Sequence, residues 1–291
     1  MSAVFARVRE AVESTSPAVV YKASLGGPDN MATPHYGLFT GEGECVGNAV
    51  RAGYEVHTRD DIIAMGEAAA SVFDGEEVAV KCRWKEGHYL TIGPTVARRK
   101  EIFGTKDAVF PRFLVRAGYD GRSFSAGLGL KRDACDNLQM LSSVGRQNFV
   151  KLRHTRNLRE MMPSLVEEFS RLAARWDSVH EIASEMNAKK VVLADYLAKV
   201  YPGAGSDSER TKNAALKRIE SIVARISRER VSLTGLLGNI DKVTAWEAYQ
   251  GVQGYCQHDK SRKGRPGRED RAWLALDDKD VEKALRMAVA A

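Results

Sequence analysis

Hydrophobic and polar positions alternate with a period near two through the first half of the chain and near 3.6 through the second. After an amphipathic helix at 4–13 and a strand at 18–21, residues 26–53 are rich in glycine and carry few periodic apolar positions. They predict a long loop or short irregular strands. Asp60 and Asp61 open a helix that starts at Thr58 or Arg59 and runs to Phe73, with Ile62, Ile63, Met65 and Ala69 on its buried stripe. A hairpin follows, 77–85 with 88–92, turning at Glu86-Gly87. Val78, Val80, Cys82 and Trp84 share one face, and Lys81, Arg83 and Lys85 share the other. Residues 94–103 read as a short helix bearing Arg98, Arg99 and Lys100.

The stretch 107–155 organises the rest. Phe110, Phe113, Leu114 and Val115 form a strand, and Tyr119-Asp120-Gly121 is a turn signal. From Ser123 to Leu130, Phe124, Ala126, Leu128 and Leu130 alternate with Ser123, Ser125, Gly127 and Gly129. Seven cations between Lys131 and Glu160 face three carboxylates. From Arg156 onward apolar residues recur at helical spacing. They predict one long helix through about Ala183, with Thr155 as its cap, and further helices at 191–200, 209–230, 243–257 (capped by Asp241) and 280–290. The segment 260–271 reads as a basic linker. The pattern predicts an α+β fold: an N-terminal twisted antiparallel sheet with flanking helices over 1–155, then a mostly α-helical part over 156–291.

Composition adjusts this picture in two ways. A hydrophobic content of 44% over 291 residues is enough for one large core or two smaller ones. The formal net charge of +6 favours an anionic partner, nucleic acid first and a membrane surface second. The four cysteines, Cys45, Cys82, Cys135 and Cys256, never form a Cys-x-x-Cys pair, which argues against a zinc module and a disulfide scaffold. Residues 1–13 mix charge with short apolar runs and do not read as a signal peptide. No apolar run approaches the roughly 20 residues that span a bilayer. A bacterial cytoplasm is the expected location.

Catalytic motifs are sparse. The chain contains no P-loop, no G-x-G-x-x-G in a βαβ setting and no G-x-S-x-G elbow, and its six histidines never pair at i,i+4. No catalytic residue, metal or cofactor is assigned. His154 sits at the strand-to-helix switch. There it can read a phosphate, act in acid–base chemistry, or simply hydrogen-bond a neighbouring loop.

Three features together carry a family resemblance. They are the two-strand unit with its Tyr119-Asp120-Gly121 turn leading to Arg132-Asp133-Ala134-Cys135-Asp136-Asn137-Leu138, the Arg153-His154-Thr155 entry to a long helix, and Thr244-Ala245-Trp246 with Tyr249 and Tyr255 ahead of a basic loop. Over about 107–288 the chain resembles a phage/plasmid-like family of unknown function, numbered 932. The resemblance implies a phage, prophage or plasmid origin and supplies no activity. Joined to the charge pattern, it suggests a mobile-element protein that binds nucleic acid, single-stranded DNA before other forms, and anneals strands as a homo-oligomer. The candidate contacts are Lys81, Arg83, Arg98, Arg99, Lys100, Lys131, Arg132, Lys151, Arg153 and His154. A self-assembling structural or host-directed protein is the alternative. A metal-dependent nuclease, built from carboxylates distant in sequence, ranks last.

Overall fold

The computed structural model describes residues 3–26, 32–84, 87–119, 124–133, 138–139, 149–155, 157–261, 268–276 and 278–291. Contacts divide the chain into two compact units, each discontinuous in sequence. The first holds Met1–Arg98, Pro111–Gly129 and Asn148–Trp176, and the second holds Arg99–Phe110, Leu130–Gln147 and Asp177–Ala291.

In the first unit, β1 (Val20–Gly26), β2 (Ala32–Thr40) and β3 (Cys45–Arg51) form an antiparallel meander. The glycine-rich stretch is therefore mostly strand, made irregular by register shifts at Ser24/Gly26 and Tyr36/Leu38. The larger sheet runs β10-β8-β7-β5-β4. Its strands are β4 (Val78–Trp84), β5 (Gly87–Pro94), β7 (Ala108–Gly118), β8 (Phe124–Arg132) and β10 (Phe149–Leu152), where β6 and β9 are the short strands Lys100–Glu101 and Leu138–Gln139. Strand β7 is buried along its whole length, including Arg112, whose Nη1 donates to the carbonyls of Pro94 (2.7 Å) and Pro111 (2.9 Å). A central strand covered on both faces keeps an arginine by feeding it backbone acceptors.

Helices α1 (Ala3–Glu13) and α2 (Arg59–Ser71) pack together over β4 and β5. Gly66 allows the close approach, since a Cβ there would lie 2.5 Å from Val8 and 2.8 Å from Leu90. Thr58 caps α2 in a reciprocal capping box with Asp61. Phe113 of β7 meets Phe73 and also Phe169 of α3 (Leu158–Ala174), with centroids 5.5 and 5.0 Å apart.

The second unit is mostly helical. It contains α4 (from Trp176, which closes the first unit, to Ala188), α5 (Leu193–Val200), α6 (Glu209–Thr234), α7 (Ala245–Gly254), α8 (Arg268–Leu276) and α9 (Lys279–Ala290). All but one of the residues of α7 are fully buried, so this helix is the core of the unit. Gly251 lets α6 lie against it, because a Cβ there would fall 2.4 Å from Ile226. A short ladder of β11 (Lys190–Val192) and β12 (Lys242–Thr244) precedes α5 and α7.

Four local expectations need correction. Residues 94–103 are not a helix: Arg98 takes a positive φ of 59° and the chain enters β6. The turn is fixed from outside, by Arg98 Nε to Glu76 at 2.6 Å, Arg98 Nη2 to the Val72 carbonyl at 3.1 Å, and the Phe73 ring below the guanidinium. The single long helix is two, broken at Arg175 between α3 and α4. Its N-cap is Asn157, without a side-chain capping bond, rather than Thr155. Thr244, not Asp241, caps α7, because Glu247 stands three residues on to complete its capping box. The Asp120-Gly121 turn, Lys85, Cys135–Asn137, Arg146, Arg156 and most of the basic linker lie outside the described residues.

Candidate functional site

The sequence-predicted cations divide between the two units. In the first, Lys81 and Arg153 are exposed, Arg83 is half-buried, and Arg98 is committed to Glu76. Lys151 lies on β10 opposite Ser125, and its side chain is outside the described residues. In the second unit, Arg99 pairs with Glu101 at 3.1 Å and Asp133 at 3.7 Å, and Lys100 pairs with Asp177. Lys131 is half-buried. Arg132 is 3% exposed, with its Nε 2.6 Å from Asp107 and its Nη1 on Glu229, so its charge is spent inside the protein. His154 is buried. Its Nδ1 lies 3.1 Å from the Glu55 carbonyl, and its ring stacks on Tyr54 at 4.7 Å.

The fold gathers three histidines that no sequence spacing joins. His57 and His88 are fully buried, with His57 Nε2 3.1 Å from His88 Nδ1. The His57 ring stacks on Tyr119 at 4.2 Å and lies 5.3 Å from His154. Burial lowers the pKa of His57 well below the ordinary value, helped by His88 and His154. Burial, with Arg59 nearby, lowers that of His88 to about 3. Both imidazoles are neutral near pH 7, and the cluster clamps the segment after β3 against β7. Tyr119 adds to the clamp by donating its hydroxyl proton to the His57 carbonyl at 2.8 Å.

Cys256, Asp278 and Asp280 also converge, within 4.8 Å of one another. The Lys260 ammonium already sits between the two carboxylates, at 2.9 Å from Asp278 and 3.0 Å from Asp280. The arrangement reads as an internal ion pair that ties the turn after α7 to the start of α9.

Among the described residues, a cleft of about 860 Å³ in the second unit offers a ligand-sized surface. One wall is the turn between β6 and β7, which carries Gly104, Thr105, Lys106 and Asp107. That turn is tied by Thr105 N–H to the Ile102 carbonyl and by Asp107 N–H to Thr105 Oγ1, both 3.0 Å. Another wall is the β11/β12 ladder. Lys190 faces Thr244 and Val192 faces Lys242, so Lys190 and Lys242 are diagonal neighbours on one face of the ladder. Val243, between them in register, is fully buried on the other face. The end of α6 and the loop after it complete the cleft. Arg230 holds that loop through the Asn239 carbonyl at 2.6 Å while binding Glu247 through two bonds of 2.8 and 2.9 Å.

The electrostatics of this cleft are one-sided. Among the described residues, five cations and two carboxylates line it: Lys106, Arg132, Lys190, Arg230 and Lys242 against Asp107 and Glu247. Asp107 Oδ2 accepts from Arg132 and, at 3.0 Å, from the Trp246 indole. Glu247 is matched by Arg230. Burial opposes its charge, yet the bonds from Arg230 and Thr244 lower its pKa overall. Lys106, Lys190 and Lys242 make no ion pair with any described residue, and all three are exposed. Phe103 is 83% exposed on the turn leading into the cleft. Sequence reading missed these lysines because they come singly from three separate segments. Among the described residues, Arg132 alone of the predicted contacts lines the cleft, and it organises the floor.

A family model covers both this cleft and the histidine cluster, matching residues 48–281. The chain belongs to the family described as Domain of unknown function (DUF932). No curated protein and no solved structure matches it. Within this DUF932 member the match starts at β3, well before the 107–288 span read from short motifs, and takes in α2 and the β4–β5 hairpin. The family description assigns no activity. Among the described residues no helix is long and apolar enough to cross a membrane.

Proposed function

We propose that this protein binds nucleic acid, with single-stranded DNA as its preferred ligand, through the cationic cleft of the second unit. The observation that carries the reading is the charge imbalance: among the described residues both lining carboxylates are matched internally, and Lys106, Lys190 and Lys242 are left facing solvent. Lysines contact phosphates as point charges and carry no base preference. A strand bound by its backbone keeps its base edges open to a complement, the physical requirement for strand annealing in recombination or replication. This use needs no nucleotide cofactor, and a phage or plasmid setting is consistent with it.

Fluorescence anisotropy with a labelled single strand and its matching duplex, titrated across salt, tests the proposal. Binding weakens steeply with salt because each phosphate contact releases counterions. Replacing the three lysines by alanine lowers the slope of log K against log salt by about 2, at roughly 0.7 per single-strand phosphate contact. Affinity that ignores salt, or an unchanged slope in the triple variant, refutes the assignment. Self-assembly is the second reading, favoured by the exposed Val231 and Leu237 near the end of α6. It predicts a concentration-dependent sedimentation coefficient and no salt-sensitive DNA affinity.

A further inference from the structure

We propose that Phe103 is a base-stacking residue of the cleft, with Leu236 as a second apolar contact, so that the cleft prefers unpaired bases. This inference rests on the nucleic-acid reading above and names what recognises the base once lysines hold the backbone.

Two of the most exposed large apolar side chains in the described structure, Phe103 at 83% and Leu236 at 73%, belong to segments that form this one cleft. Leu236 lines it directly, and Phe103 immediately precedes the lining residue Gly104. Neither side chain serves the core, and both stand on braced backbone. The Phe103 carbonyl accepts from Asn187 Nδ2 at 2.9 Å, and Asn187 is itself a lining residue. The preceding Ile102 is fully buried, and its carbonyl takes the Thr105 hydroxyl at 2.9 Å. On the other segment, Gly235 and Gly238 take positive φ values of 74° and 62°, which turn the chain sharply around Leu236 and Leu237. Thr234 Oγ1 bonds both to the Leu236 carbonyl (2.9 Å) and to its N–H (3.2 Å). An aromatic ring held out on a fixed turn loses little entropy when a base stacks on it.

Charge selects the occupant. Exposed apolar side chains on segments that also carry the unmatched lysines, or that line the same cleft, suit a ligand with an anionic backbone and flat apolar faces, and a single-stranded nucleic acid has both. In a duplex the base faces are already stacked, and opening a step costs a few kcal/mol. The apolar contacts therefore raise affinity for single strands, while the lysines serve both forms.

The test uses the full chain with labelled oligodeoxythymidine and a labelled hairpin duplex. Phe103→Ala is expected to weaken single-strand binding about tenfold, within the range for loss of one stacked base. Duplex affinity and the salt slope stay unchanged, because no phosphate contact is lost. Leu236→Ala gives a smaller loss of the same kind. Phe103→Trp keeps the affinity and adds an emission quenched by the strand, measured against the protein's own four tryptophans. Both side chains are exposed, so unchanged thermal melts confirm that the variants fold. The inference is overturned if both alanine variants bind the single strand like the wild type, or weaken single strand and duplex equally. It is also overturned if they change only the sedimentation coefficient, which would mark a protein contact. Binding of the wild type to neither probe defeats the nucleic-acid reading itself, a result distinct from binding without stacking.

Discussion

His57 and His88 show how much one buried contact sets at the scale of single residues. In the unfolded chain each imidazole titrates near 6.5, whereas the folded values are lower, about 3 for His88. As pH falls the unfolded chain takes up protons first. The stability held by neutral His88 is complete above about pH 6.5 and is lost progressively down to about pH 3, at roughly 1.4 kcal/mol per pH unit. His57 adds in the same direction. Thermal melts at about pH 7.5 and about pH 5, a span above most carboxylate titration, are expected to show a lower midpoint at the acid end. His88→Gln flattens that dependence, and equal midpoints in the wild type would refute the account. None of this was visible in the chain, where the two residues lie 31 apart. The sequence did mark His154 as a strand-to-helix switch residue, and its loop-bonding role is the one the structure shows.

Between elements, the decisive contact is Arg132 at the end of β8, which joins Asp107 before β7 to Glu229 on α6. Glu229 also takes Arg225 at 3.3 Å, and Arg225 reaches Asp259 at 2.7 Å. Removing the central arginine leaves a buried carboxylate without its counter-ion. Arg132→Ala is expected to cost about 3–5 kcal/mol in urea denaturation, the usual penalty for breaking a buried pair from one side. A loss below about 1 kcal/mol would show that Asp107 and Glu229 find other partners. Period and capping chemistry made α1, α2, α5, α6 and α9 legible to within a few residues, because each carries an apolar stripe and most carry start or stop residues. The turn at Arg98 was not legible, because Glu76, Val72 and Phe73 fix it from another part of the chain. The break at Arg175 has no glycine or proline to announce it.

For the whole molecule, the net charge of +6 attracts polyanions without saying where they bind. Matched charge reversals separate place from total charge. Lys106→Glu with Lys190→Glu, and Lys81→Glu with Arg153→Glu, change the net charge by the same amount. If the cleft is the site, the first pair weakens single-strand binding at least about tenfold more than the second at physiological salt. A larger loss from Lys81 and Arg153 would move the interface to the first unit and restore the cations singled out from the sequence.

What the amino-acid sequence determined by itself is whatever depends on near neighbours. Alternation made the β4–β5 and β7–β8 strands, helical spacing made the later helices, and short ordered motifs carried the family. The tertiary structure decided which charges are free. A lysine and an arginine look alike along the chain, but Arg132 is cancelled by carboxylates 25 and 97 residues away while Lys106, Lys190 and Lys242 are left unmatched among the described residues. Pairing of charges is a property of distance in space, so it is set only when the chain has folded.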